Sequence, residues 1–154
     1  MQLEFRHATR NDADVIARFS ADMALETENL ALDRERVRHG VEAVLRDPAK
    51  GFYLLAVAEG IVVGQTMVTF EWSDWSNGMR WWMQSVYVAT EFRRRGIYRG
   101  LFQHLRDMAS SGNAVCCLRL YVHRDNRRAQ AVYQKLGFQQ TPYLLYEMDL
   151  PRHS

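Results

Sequence analysis

The sequence predicts a mixed α/β domain: α and β elements arranged on one mixed sheet, with residues 1–154 forming a single domain. Three observations point there. Apolar residues recur at helical spacing in some stretches and alternate in others. Three strand-like runs stand in the middle of the chain, joined by short polar turns. A basic turn containing glycine then separates the last of these runs from a helix-like one. The expected order is β-α-α-β-β-β-α-β-α-β.

Each element has its own signal. Leu3, Phe5 and His7 alternate with Gln2, Glu4 and Arg6, a first strand. Thr9 followed by Asp12 is a capping-box-like start using the shorter acid. Val15, Ile16, Phe19 and Met23 then give a helical stripe. Residues 25–32 are a polar joint holding Glu26 and Glu28. Asp33 caps a second helix with the stripe Val37, Val41, Val44 and Leu45, and Asp47-Pro48 ends it. Residues 52–58 and 61–70 read as strands around the tight turn Glu59-Gly60. A polar turn over 73–78 leads to a strand over 80–88. The basic turn and its helix run to about Ser110, where Ser111-Gly112-Asn113 stops it. Residues 115–122, apolar except for Arg119, fit a strand buried on both faces. Asp125 or Asn126 caps a short helix to Leu136, Gly137 ends it, and residues 144–150 read as a final strand.

Composition narrows the function classes. The formal net charge is +2, so nothing global marks a nucleic-acid binder, and no aromatic stripe interleaves the arginines as on a nucleic-acid face. Positive charge is local instead, at Arg93–Arg99 and Arg124–Arg128. Cys116 and Cys117 are adjacent within an apolar run, an arrangement unsuited to a disulfide framework, which predicts a reducing, cytoplasmic setting. No signal peptide and no membrane-spanning run is expected. His7, His39, His104, His123 and His153 are scattered without ligand partners at familiar spacing, so no metal is expected.

The richest segment is Arg93-Arg94-Arg95-Gly96-Ile97-Tyr98-Arg99-Gly100. A turn that opens a helix aims backbone N–H groups and the positive end of the helix dipole at one point. Glycine lets that backbone approach a ligand closely. A phosphate or pyrophosphate suits such a turn, the alternative being a solvated basic turn.

This segment is similar to the acetyl-CoA pyrophosphate loop of the GNAT superfamily of N-acetyltransferases. Asn126-Arg127-Arg128-Ala129-Gln130-Ala131-Val132-Tyr133-Gln134-Lys135-Leu136-Gly137-Phe138 resembles the second signature of that superfamily, an Asn-led helix carrying a Tyr and ending in Gly-Phe. The element order agrees over nearly the whole chain. One departure is Tyr98, which stands where the superfamily loop usually has its second glycine.

The resemblance implies the GNAT acyl-CoA N-acyltransferase fold, with splayed fourth and fifth strands and acetyl-CoA as co-substrate. It implies that the backbone of Val86, Tyr87 and Val88 serves the pantetheine arm. Arg93, Arg94, Arg95, Gly96, Ile97, Tyr98, Arg99 and Gly100 would serve the diphosphate. Asn126 would bond the amide-rich arm, with a helix cap as its other reading. Tyr133, otherwise a core residue, would protonate the departing thiolate, since its ordinary pKa of about 10 keeps it protonated at neutral pH. Glu26, Glu28, Glu71 and Asp74 are candidate proton acceptors for the amine, with Glu28 and Glu71 preferred; solvent-facing acids are the other reading. An acidic rim beside Trp72, Trp75, Trp81 and Trp82 is expected to attract a small cationic or amphipathic primary amine. The alternatives are a protein or peptide acetyltransferase and a non-catalytic acyl-CoA-binding sensor. A homodimer through a sheet edge or the last strand is compatible with the pattern.

Overall fold

Asp12 fixes where the first helix starts. In the computed structural model, which describes residues 1–152, its carboxylate accepts from the Thr9 N–H at 2.7 Å and the Thr9 hydroxyl at 3.1 Å. Arg6, on strand β1 (Leu3–His7), donates to both carboxylate oxygens at 2.9 and 3.0 Å. A 3-10 turn over Arg10–Asp12 therefore precedes helix α1 (Ala13–Glu28). Asn29, at φ 51°, ends that helix, and Asp33 caps α2 (Arg34–Arg46) by accepting from the Arg36 N–H at 3.1 Å.

Strands β2 (Phe52–Ala58), β3 (Ile61–Ser73) and β4 (Gly78–Val88) follow, then helix α3 (Ile97–Ser110) and strand β5 (Val115–Arg119). The sheet order is β1-β2-β3-β4-β5. The first three pairs are antiparallel and β4–β5 is parallel. The β3–β4 hairpin is longer than its sequence predicts, because cross-strand pairing continues to Ser73↔Gly78. Glu71 consequently stands within β3, opposite Arg80, rather than beyond the strand. In the other direction, β5 stops at Arg119, short of residue 122.

Helices cover both faces of this sheet. Gln65 of β3 donates to Ser20 of α1, whereas its neighbour Gly64 faces Ile97 and Leu101 of α3. On the first face Ile16, Val41 and Val44 pack with Tyr53 and Leu55, and burial pushes the Tyr53 phenol up to about 12. On the second face Ile97, Leu101 and Leu105 are fully buried. No described helix is long and apolar enough to cross a membrane.

A second compact unit begins at Val122. Its helix α4 (Arg127–Lys135) is capped by Asn126, whose Oδ1 accepts from the Ala129 N–H at 3.1 Å. The expected final strand over 144–150 does not form: these described residues take no strand conformation. Its apolar alternation is real, but a strand exists only where a neighbour takes up its N–H and C=O groups. Here Leu144, Tyr146, Met148 and Leu150 are exposed. His153 lies outside the described residues.

The Arg6–Asp12 pair yields a stability prediction. Replacing Asp12→Ala should lower the free energy of unfolding in urea at pH 7 by about 2 kcal/mol, since it strands a half-buried guanidinium and two Thr9 donors. The hydrogen bonds from Arg6 hold the Asp12 carboxyl below its ordinary range. A depressed native value means that the contribution is complete above the unfolded value of about 4 and is lost as pH falls through the native one. The gap between wild type and variant should therefore narrow in acid; a constant gap down to full protonation would contradict this.

Candidate active site

Strand β4 has two partners along its first part and one along the rest. Its pairing with β5 runs from Met79↔Val115 to Trp82↔Arg119 and stops. Among the described residues, 83–88 pair with β3 alone, because β5 ends at Arg119. The β3–β4 register also shifts between Gln65 and Met67, opposite Ser85, which adopts φ 50°. A bulge of this kind twists and re-aims a strand. Gln65 braces it: wholly buried, it donates to the Ser85 carbonyl and the Ser20 hydroxyl, both at 3.2 Å. The polar Gln65 within an apolar run was a readable signal for this brace; Ser85 gave none.

Val86, Tyr87 and Val88 fall on the one-sided length. The Tyr87 ring packs on Phe19 at 5.0 Å, its hydroxyl donates to Glu26 Oε1 at 3.2 Å, and burial pushes its phenol up. The Val88 carbonyl accepts from Arg93 Nε at 2.8 Å. Arg93 also donates from Nη2 to Glu26 Oε2 at 2.7 Å and lies over the Tyr87 ring. Arg93 thus turns back onto the protein, and Glu26 serves as its anchor on the last turn of α1. Neither role was legible in the sequence.

Beyond Arg93 the chain makes a tight entry into α3. Arg94 adopts φ 64° and Gly96 φ 79°, and the Arg95 guanidinium lies over Phe92. The helical ladder begins with the Gly100 N–H donating to the Gly96 carbonyl at 2.9 Å, so residues 96–99 form the turn ahead of it. Ile97 points inward, and the side chains of Arg94, Arg95 and Arg99 are exposed. This geometry suits an anion.

Gly100 has a packing role at the start of α3. Its N–H is used within the helix, and a Cβ there would lie 2.4 Å from Phe5 Cζ. Its missing side chain lets α3 settle onto β1. Gly96 has open space around it and supplies the left-handed backbone instead.

The expected proton acceptors are in different states. Glu28 is exposed at the end of α1. Glu71 accepts from Arg80 at 2.8 Å, Trp82 Nε1 at 3.1 Å and Arg119 at 3.2 Å. The Arg80 hydrogen bond holds its carboxyl below the ordinary range. Asp74 accepts from the Trp75 N–H within the hairpin turn. The tryptophans do not form one wall. Trp81 packs edge-on to Phe52, Trp82 faces Tyr121, and Trp72 and Trp75 are exposed. In the second unit, Tyr133 of α4 meets Phe138 edge-on at 5.9 Å, and Asn126 is the α4 cap.

The model of the acetyltransferase (GNAT) family matches residues 15–138. A mycothiol acetyltransferase of Corynebacterium aurimucosum is 34% identical over 110 residues, covering 69% of this chain and 36% of that protein; the chain spans little more than a third of this curated relative. The crystal structure of a possible acetyltransferase from Clostridium difficile 630 superposes with a TM-score of 0.93 at 39% identity, covering 99% of this chain and 100% of that one. A predicted acetyltransferase from Clostridium acetobutylicum, solved with acetyl-CoA, shares the fold with a TM-score of 0.78 at 17% identity over 96% of each chain.

The fit of α3 against β1 is directly testable. Gly100→Ala should destabilise the protein by about 2 kcal/mol in urea unfolding, because the methyl group meets a ring that must shift. Wild-type stability in this variant would show that α3 does not depend on the close approach.

Proposed function

The chain belongs to the GNAT acetyltransferase family, and from that premise we propose that it is a cytoplasmic N-acetyltransferase carrying the acetyl group of acetyl-CoA directly to the primary amine of a small molecule. The observation that carries this reading is the one-sided length of β4, which leads into the left-handed turn at Gly96 and the start of α3. The name of the mycothiol acetyltransferase relative supports a small-molecule acceptor.

In this reading the pantetheine arm meets the backbone of Val86, Tyr87 and Val88 along the edge that β5 leaves open. The diphosphate meets the amides of the turn over residues 96–99 at the positive end of α3. Arg94, Arg95 and Arg99 add charge there. Arg93 acts at one remove, holding the loop through the Val88 carbonyl and Glu26. The Asn126 side-chain NH2 is offered to the amide-rich arm while its oxygen caps α4.

The transfer needs one bond made and one broken. The lone pair of the neutral amine forms a C–N bond at the thioester carbon, and charge gathers on the carbonyl oxygen. A backbone N–H at the C-terminal end of β4 stabilises that charge. The C–S bond then breaks, and the thiolate takes a proton from the Tyr133 phenol. The proton lost by the amine passes through water to Glu28. Glu71 is the weaker acceptor, because its pairing with Arg80 favours the ionised carboxylate before a proton ever arrives. Its role in this reading is electrostatic.

A thiol-release assay with acetyl-CoA across amines, amino acids and peptides tests the activity. Tyr133→Phe should lower kcat about a hundredfold, within the range for general acid catalysis, and leave acetyl-CoA affinity unchanged by calorimetry. Unchanged turnover would remove Tyr133 from the mechanism. Arg94→Ala and Arg95→Ala should weaken acetyl-CoA binding, more at low salt, where charge attraction is least screened. Absence of any association with CoA or acetyl-CoA would overturn the reading.

A further inference from the structure

One group of side chains on the sheet carries more charge than its own pairing requires. Glu71 of β3, Arg80 of β4 and Arg119 of β5 meet at a single carboxylate. Both arginines donate to Oε2, at 2.8 and 3.2 Å, while the Trp82 indole takes Oε1 at 3.1 Å. One negative charge faces two positive ones. Arg80 and Trp82 already satisfy the carboxylate, so Arg119 is surplus to its neutralisation. Each guanidinium has five N–H donors and gives one to Glu71, leaving donors in a planar fork suited to a second anion. Both side chains remain about a quarter exposed, at 23% and 26%. Aromatic rings border the group: Arg119 lies over Trp82, and Trp82 faces Tyr121 at 5.9 Å. The neighbouring Cys117 thiol, pushed up by burial, adds no negative charge.

We propose that Arg119, with Arg80, binds an anionic group of the acyl acceptor, a carboxylate or a phosphate. The inference rests on the acetyltransferase reading and specifies its substrate class. It reverses the expectation of an acidic rim that gathers cations, because Glu71 is neutralised where it stands. The two ends of the site also stand apart. Arg80 and Arg119 lie where β4 pairs with β5, whereas the N–H that holds the oxyanion in this reading lies at the C-terminal end of β4. The acceptor is therefore elongated, with its amine at one end and its anion at the other.

The test uses straight-chain amino carboxylates of increasing length, their carboxamides, and the matching aminoalkyl phosphates. Binding to the CoA-loaded protein is measured by calorimetry. A carboxylate or phosphate should bind about tenfold more tightly than the carboxamide of equal length, the scale of one hydrogen bond to a charged group. The carboxylate and phosphate arms identify which anion is used. Arg119→Gln should erase the preference without changing carboxamide binding, and Arg119→Lys should restore part of it. Glu71→Gln, which leaves both guanidinium groups uncompensated, should widen the preference and serves if Arg119→Gln does not fold. No preference at any length, or one that survives in Arg119→Gln, overturns the proposal. Thiol release is followed in parallel. Release that ignores the acceptor's charge overturns this inference and leaves the enzyme reading standing. Charge-selective binding with no thiol release from any amine supports the anion site and overturns the enzyme reading.

Discussion

Strand β4 gives up its second partner after Trp82, and the arrangement of the site follows from that ending. Backbone N–H and C=O groups are obligatory hydrogen-bonding groups, and a central strand normally spends them on both neighbours. From residue 83 onward one side of β4 is left to something other than β5. The fold then concentrates its bracing on this stretch. Gln65 pins the bulge at Ser85, Phe19 supports Tyr87 from α1, and Arg93 reaches back to Val88. The incomplete strand is held in shape by side chains in place of a neighbouring strand.

The ion pairs of the molecule act through geometry more than through strength. Arg93 and Glu26 are both about two-fifths exposed, at 40% and 41%, and an exposed pair contributes little stability by itself. The same guanidinium also fixes a carbonyl and covers an aromatic ring. Its value lies in joining three elements: the end of α1, the end of β4 and the start of the basic loop. Arg6 and Asp12 do similar work at the start of α1, through a two-bond fork and two further bonds from Thr9. At Glu71 the balance differs, since the carboxylate is outnumbered.

Much of the architecture was legible because its signals are local. The stripe of α1, the hairpin turns and the glycine at the head of α3 each depend on residues close in sequence. The segment over 144–150 has an equally clear alternation yet forms no strand, because pairing depends on a neighbour that its own residues cannot announce. The site divides the same way. The basic loop and the capping role of Asn126 could be read from spacing. The bulge at Ser85, the Arg93–Glu26 link and the company of Glu71 could not. Each depends on a partner brought near only by the fold: Gln65 for Ser85, a residue on α1 for Arg93, and arginines on two other strands for Glu71.

Phe5 and Gly100 occupy one shared volume between β1 and α3. Their sizes are therefore a joint quantity, and descent should have treated them as such. A lineage that shrinks the ring at position 5 gains room for a methyl group at 100, whereas the reverse order of change passes through a collision. The head of α3 is then set at a height above the sheet that neither residue determines alone, and a substitution on the first strand is inherited as a displacement of the loop that opens the helix.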